Sequence, residues 1–268
     1  MSAGGPIVRI GCAGLPTGVA RLRYFEKLSF LETDATFYEP PRAAVLTRWR
    51  GEAPSDAAFA VLAWQLVTHE ADTAGYARLV EPLPAEARLR VGSFRPTDEV
   101  RGAWRRTVDA ARALRADVIL LQTPPAFSPA EKHKDALRRF MGEVVAPAQL
   151  TGLTLAWEPR GVWEPAQAGR LAAELGLVYA LDPLQLETAP PEGDAAYFRI
   201  YGLGLYRNKI SDDHLELLAE LASAYERSWV VFANLEKYPD AQRFRALWEG
   251  RDHDAGDDDD ADDGAGAE

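Results

Sequence analysis

Apolar runs that end in a charged or amide side chain recur along this chain, and segments of helical periodicity separate them. In Leu153-Thr-Leu-Ala-Trp-Glu-Pro-Arg160, apolar and small residues lead straight into Glu158 and Arg160, with Trp163 just beyond. Other runs end in Glu32/Asp34, Gln122, Asp182 and Arg199. Side chains two apart on a strand share a face, so Glu158 and Arg160 point the same way from the end of theirs. Parallel strands that all carry polar residues at their C-terminal ends describe one rim, and in α/β folds that rim holds ligand sites.

The strands expected from this pattern are Val8–Gly11, Phe30–Phe37, Ala58–Trp64, Asp117–Gln122, Leu153–Glu158, Leu177–Asp182, Tyr197–Tyr201 and Trp229–Phe232. Helices are expected near 17–28, 41–50, 98–115, 129–146, 165–175, 211–226 and 239–249. Ser128-Pro129 and Ser211-Asp-Asp supply start signals for two of them. Strands alternating with helices predict a (β/α)₈ TIM-type barrel, and 268 residues suit one such domain. Two irregularities are visible. Arg88–Phe94 reads as an extra strand between strands three and four, and the Pro-rich stretch 183–195 between strands six and seven lacks the periodicity of a full helix. An open doubly wound sheet is the alternative, but no Gly-rich dinucleotide fingerprint follows strand one. Gly11-Cys-Ala-Gly14 reads as a tight strand exit.

The net charge of −11 is unevenly placed. From Asp252 onward there are nine carboxylates and no Lys or Arg, which leaves 32 acids against 30 bases in residues 1–251. Residues 1–251 are therefore expected to form the barrel, and 252–268 a disordered, solubilising acidic tail. No basic stretch stands out, which argues against nucleic acid as a partner. The single cysteine, Cys12, excludes an intrachain disulfide and a thiolate zinc cluster. No apolar run reaches the length of a membrane span and no signal-peptide segment opens the chain, so a cytoplasmic address is expected.

Strand parity selects the residues that converge. On strand two Glu32, Asp34 and Thr36 share a face; on strand seven Arg199 and Tyr201 oppose Phe198 and Ile200. Ala156 and Ala180 leave room inside the barrel next to Glu158 and Asp182. The expected rim set is Glu32, Asp34, Gln122, Glu158, Arg160, Asp182 and Arg199, with His69 and Asn234 just past strand ends. Such charges must compensate one another, as a pairing network or as a site. Their position at the rim favours a site, because a barrel closed for its own sake would be filled with Val, Ile and Leu. Of the four histidines only His69 falls near the rim, which argues against a multi-zinc centre. Mg²⁺ or Mn²⁺ held by Glu32, Asp34, Glu158 or Asp182 stays open. Guanidinium groups bind carboxylate and phosphate bidentately, so an anionic ligand is expected at Arg160 and Arg199. His69 reads either as a general acid or base or as a loop-fixing hydrogen bonder. Gln122-Thr-Pro-Pro125 reads as a stiff strand exit, and Tyr38 as an aromatic wall.

In this order and spacing the motifs resemble the YecE-like family, a group of bacterial and archaeal barrels of unknown function. The resemblance runs from Ile10 to Leu247. It rests on Gly11-Cys-Ala-Gly14, Glu32-Thr-Asp-Ala-Thr-Phe-Tyr38 with Pro40-Pro41, Thr68-His69, and Gln122-Thr-Pro-Pro125 with Phe127. Glu158-Pro-Arg160 with Trp163, Asp182, Tyr197-Phe-Arg199 with Gly202, and Phe232-Ala-Asn234 complete it. It implies a TIM-type barrel with a polar cluster at the C-terminal mouth, and no established reaction; kinship with metal-dependent nuclease and sugar-isomerase barrels is a fold-level analogy. The chain departs from the pattern at Leu62, where a lysine is usual, at Tyr201, where a histidine is usual, and at Ala233 in place of an asparagine.

These readings lead to an expected enzyme acting on a small phosphate- or carboxylate-bearing metabolite. Glu158, Asp182 and His69 would supply acid–base chemistry. Arg160 and Arg199 would hold the anion, and Glu32, Asp34, Gln122, Tyr38 and Asn234 would contact the ligand. A non-catalytic barrel that binds a ligand or nucleic acid, with a partly degenerate site, is the alternative.

Overall fold

Eight parallel strands pair in chain order and close into a barrel, the last beside the first. They are β1 Ile7–Ala13, β2 Phe30–Thr33, β3 Ala58–Leu62, β4 Val118–Gln122, β5 Thr154–Glu158, β6 Val178–Leu181, β7 Ala195–Ile200 and β8 Arg227–Phe232. The helices are α1 Arg21–Phe25, α2 Ala35–Tyr38, α3 Ala43–Gly51, α4 Gln65–Thr68, α5 Ala85–Arg88, α6 Asp98–Leu114, α7 Glu131–Glu143, α8 Pro165–Glu174, α9 Asp212–Ser223 and α10 Lys237–Asp257. The computed structural model describes residues 5–72, 74–187, 189–202 and 209–257. Among them no helix is long and apolar enough to cross a membrane.

Period-two alternation sorts each strand between two cores. Phe30, Ala58, Ala60, Leu62, Leu120, Ala156, Ala180, Tyr197, Trp229 and Val231 fill the barrel. Their neighbours Leu31, Phe59, Val61, Ile119, Leu155, Trp157, Phe198, Val230 and Phe232 pack outward against the helices. Small residues on β3, β5 and β6 make room for Tyr197 and Trp229, whose rings lie 6.2 Å apart. Gly11 is required where β1 meets β2, because a Cβ there would stand 1.9 Å from the Phe30 carbonyl oxygen.

All eight expected strands are present, and the structure corrects four details. β2 stops at Thr33, and Asp34 leads into the single turn of α2. Glu32 alone of the expected Glu32/Asp34/Thr36 face therefore enters the barrel, while the Thr36 hydroxyl donates to the carbonyls of Thr33 and Leu62, each at 2.9 Å. The expected strand Arg88–Phe94 is instead the end of α5 and a hook. Gly92, Ser93 and Phe94 all take left-handed φ angles, and their N–H groups donate to Leu66, Thr68 and Val67 at 2.8, 3.2 and 2.9 Å. Helix α7 starts at Glu131 rather than at Ser128-Pro129, whereas Ser211 caps α9 as expected, accepting from the His214 N–H at 3.3 Å. Helix α10 runs to Asp257, into the stretch read as an acidic tail; residues 258–268 lie outside the described residues. Between β6 and β7 the 3₁₀ turn Pro183–Gln185 is the only helical element among the described residues.

Candidate functional site

Four strands deliver one ion network to the C-terminal mouth. Glu32 ends the inward face of β2, Gln122 that of β4, Glu158 that of β5, and Arg199 stands one residue from the end of β7. Gln122 and Glu158 are direct register partners, and the Gln122 Nε2 donates to Glu158 Oε2 at 2.6 Å. Arg199 is the hub. Its Nη2 lies 2.9 Å from Glu32 Oε1, its Nε 3.2 Å from both Glu32 oxygens, and its Nη1 3.0 Å from Glu158 Oε2. Beneath it the Tyr197 hydroxyl donates to Glu32 Oε2 at 2.7 Å. All three charged side chains are buried, Glu32 completely.

Above this layer sits a second one. Arg160 lies beyond the exit of β5, where Gly161 at φ +89 lets the backbone pass Pro125 so closely that a Cβ would stand 2.9 Å from its oxygen. The stiff Gln122-Thr-Pro-Pro125 exit thus braces the loop that carries Arg160. The Arg160 Nη2 donates to the Tyr201 hydroxyl at 2.7 Å, and its Nε is 3.8 Å from Glu158 Oε1. The Tyr201 hydroxyl in turn donates to Glu158 Oε1 and accepts from Arg199. Arg160 remains 41% exposed, so its guanidinium faces both the network and solvent.

Asp182 is the clip that places Tyr201. Its Oδ2 accepts the Tyr201 backbone N–H at 2.9 Å and the Gln185 amide at 2.8 Å, and its Oδ1 accepts the Leu184 N–H at 3.1 Å. It thereby ties the exit of β6 to the backbone of Tyr201. His69 shares its Nδ1 with the Thr68 hydroxyl at 2.8 Å and meets Phe37 edge-on at 4.8 Å. Burial, then the charge of Arg160, pushes its pKa down to about 4. This shift favours the neutral ring, and with it the expected loop-fixing hydrogen bonder over a group titrating near neutrality.

The electrostatics separate the two carboxylates. Burial pushes Glu32 above the ordinary carboxylate range, and Arg199 and Tyr197 offset this only in part. Burial also raises Glu158, but Arg199, Arg160 and the hydrogen bonds of Tyr201 and Gln122 outweigh it, and its pKa falls below the usual value. Burial and the Glu158 charge hold the Tyr201 phenol well above its ordinary pKa, so it keeps its proton.

Two hollows open on the mouth and share Arg160 and Tyr201 as a common wall. One, of about 450 Å³, lies over β5 and β6 and is lined also by Glu158, Asp182 and Tyr179. The other, of about 260 Å³, lies over the barrel axis and is lined also by Asp34, Phe37, Tyr38, Gln122 and Arg199. Glu158, Arg160 and Arg199 thus divide between two neighbouring hollows. Asp34 is exposed, and the Tyr38 ring carries the Arg78 guanidinium 3.4 Å over its centre. Asn234 stands apart. It is buried at the entry to α10, where its amide donates to Asp240 at 2.7 Å, and it lines neither hollow. Among the described residues no three His, Cys, Asp or Glu side chains come together as metal ligands. Of the carboxylates on which a divalent ion was left open, Glu32 and Glu158 flank Arg199, Asp182 clips Tyr201, and Asp34 is exposed.

Sequence reasoning missed two members of the site. Tyr201 read as the loss of a histidine, yet its phenol joins both arginines to Glu158. Tyr197 read as part of a motif without a role. Its signal was available, since Tyr197 and Arg199 share parity on β7 and must both face Glu32.

A family model described as a protein of unknown function, DUF72, matches residues 13–257. Among solved structures, a DUF72 family protein from Thermotoga maritima is 18% identical over 91% of this chain and 99% of its own, with a TM-score of 0.64. A DUF72 family protein from Enterococcus faecalis is 13% identical over 90% of this chain and 98% of its own, also at 0.64. A D-psicose 3-epimerase, solved in the presence of D-fructose, is 10% identical over 89% and 97%, at 0.58. At these identities the likeness to solved structures is one of fold. No curated protein matches the chain.

Proposed function

The chain belongs to the DUF72 family, the YecE-like group its motifs resemble, and from that premise we propose that its barrel mouth binds and transforms a small anionic metabolite. The observation that carries this reading is the common wall of the two hollows. There an arginine with an open face and a proton-bearing phenol stand side by side over an ionised carboxylate. Arg160 anchors the phosphate or carboxylate of the ligand, as a guanidinium does best when its remaining donors already fix its plane. Glu158, ionised and hydrogen-bonded to Tyr201, serves as the base: the phenol passes its proton to Glu158 as it takes one from the bound molecule, and the reverse transfer returns a proton to that molecule. Asp182 positions Tyr201. Arg199 and Glu32 are the floor that keeps Glu158 ionised, since the Arg199 donors are already engaged by Glu32, Glu158 and Tyr201. Neutral His69 offers a hydrogen bond at the edge of the mouth. Separated carboxylate pKa values and a held proton suit proton-transfer chemistry. One fold neighbour, a D-psicose 3-epimerase, is compatible with that class.

One observation favours a second reading, a binder without turnover: both oxygens of Glu32 and of Glu158 already have protein partners. A thermal-shift screen of phosphate- and carboxylate-bearing metabolites, followed by a turnover assay on each stabilising compound, separates the two. Stabilisation with consumption supports the enzyme, and stabilisation without it the binder. A protein that no such anion stabilises, and whose Arg160→Ala variant behaves alike, refutes both.

A further inference from the structure

A complete barrel of this kind covers every strand with a helix, and among the described residues the link from β6 to β7 holds only the turn Pro183–Gln185. The outward residues of β6 and β7, Tyr179, Leu181 and Phe198, face a groove of about 440 Å³ whose opposite wall is α8. The strap Pro190–Asp194 lies where a helix would otherwise pack. It is held on both sides: the Tyr225 hydroxyl donates to the Pro191 carbonyl at 2.7 Å, and a Cβ on Gly169 of α8 would stand 3.1 Å from the Pro191 ring. A helix about 10 Å across does not fit beneath a strap so placed, but a slender apolar chain does. The groove also adjoins the mouth, with the Tyr179 ring between them. Tyr179 and Leu181 line both it and the hollow that holds Glu158, Arg160 and Tyr201. The Tyr179 phenol feels the junction, raised above its ordinary pKa by burial and then by the charge of Glu158.

Resting on the functional reading above, we infer that the ligand is an anionic amphiphile whose head sits at Arg160 and whose apolar tail runs past Tyr179 and Leu181 into the flank groove. The volume of the groove is in the range of small-molecule sites, and Leu177, Leu181, Phe198 and the alanines of α8 give the tail an apolar wall, with Glu192 and Asp194 at the strap. The head is held by a single exposed guanidinium, so the tail supplies most of the affinity.

Calorimetry with methyl, butyl and octyl phosphate tests this on the full chain. Each buried methylene is worth about 0.8 kcal/mol, roughly a fourfold gain in affinity, so three seated methylenes make octyl phosphate about 60-fold tighter than methyl phosphate. Ala173 lines the groove from an exposed position on α8. Ala173→Trp should fill the groove and reduce that ratio below about threefold, with methyl phosphate binding unchanged. Should this variant melt early, Ala173→Leu repeats the measurement with a smaller side chain. Equal affinity for methyl and octyl phosphate in the parent overturns the inference while leaving the anion site standing. A chain-length ratio that survives the filled groove overturns it as well. Binding of none of the three sinks the functional reading itself, and the inference with it.

Discussion

Replacing Arg199 with methionine keeps the length and much of the volume of the stem but removes the charge that two buried carboxylates share. The two are not left equally exposed to the loss. Glu158 retains Gln122, Tyr201 and Arg160, whereas Glu32, fully buried, keeps only the Tyr197 hydroxyl. Removing one partner of a buried pair costs about 3–5 kcal/mol, because the other charge is left uncompensated in a medium of low polarity. For a chain of this size that corresponds to a fall of about 10 °C in melting temperature. The pH dependence follows from the two carboxylates. Glu32 already has a raised pKa, and without Arg199 it rises further; a raised carboxyl keeps its stability at low pH and loses it as pH climbs through the folded value. Glu158 has a lowered pKa, whose benefit exists only above the unfolded value, so weakening it also costs more at high pH. Both effects make Arg199→Met worse at pH 8 than at pH 5. Urea unfolding at the two pH values measures this directly. Glu32→Gln combined with Arg199→Met should recover at least about half of the loss, as expected for residues in one network. A loss below about 1 kcal/mol at both pH values, the size typical of exposed ion pairs, would show that Arg199 is not the hub described here.

Arg160→Ala should do the opposite, changing the melting temperature by less than about 2 °C because an exposed ion pair is worth at most about 1 kcal/mol, while abolishing stabilisation by methyl phosphate in a thermal-shift assay. The His69 ring, followed by nitrogen-detected NMR, should titrate near pH 4 and stay neutral from pH 6 to 8; a midpoint near 6.5 refutes its burial. The Cys12 thiol, buried under Tyr24 with its pKa pushed up to about 12 by desolvation, should resist a thiol-reactive dye at pH 8 until the protein is unfolded. Gly11→Ala should prevent correct folding, since its Cβ has nowhere to go against the Phe30 carbonyl; a soluble variant with the melting temperature of the parent refutes the close approach of β1 and β2.

Much of this was legible in the sequence because a barrel strand states its facing twice, once through apolar alternation and once through the polar residue at its end. Leu153–Glu158 and Tyr197–Arg199 carry both signals, and both landed as read. The reading failed where alternation continued past the strand. Glu32-Thr-Asp-Ala-Thr-Phe-Tyr38 alternates as a strand would, but a single helical turn fits the same few residues, and only the carbonyls of Thr33 and Leu62 awaiting the Thr36 hydroxyl decide between them. Arg88–Phe94 failed for a related reason. Leu89 and Val91 alternate, yet Leu89 is exposed, and Phe94 packs against Phe127 and Phe140 rather than beside a neighbouring strand. Parity put Tyr201 on the face of Arg199, but its role was out of reach, because a phenol in place of a usual histidine reads as a loss until its bonds to both arginines and Glu158 are seen. The pairing of charges was predictable from type alone, but which arginine would be enclosed and which open depended on depth along the strands.

The hook at Gly92–Phe94 has a consequence for how this barrel can vary over time. By returning onto Leu66, Val67 and Thr68, it ties the start and the end of the long excursion between β3 and α6 to each other. Two further ties reach the exit of β2, where the Val80 N–H donates to Glu39 and the Arg78 guanidinium covers the Tyr38 ring. With the hook and these ties kept, the rest of the excursion should tolerate being lengthened, shortened or exchanged with that of a relative, much as a cuff isolates a sleeve from the hand. Diversity among related barrels should therefore accumulate in this excursion, which borders the mouth through His69, and grafting it whole between relatives should transfer ligand preference while leaving folding intact.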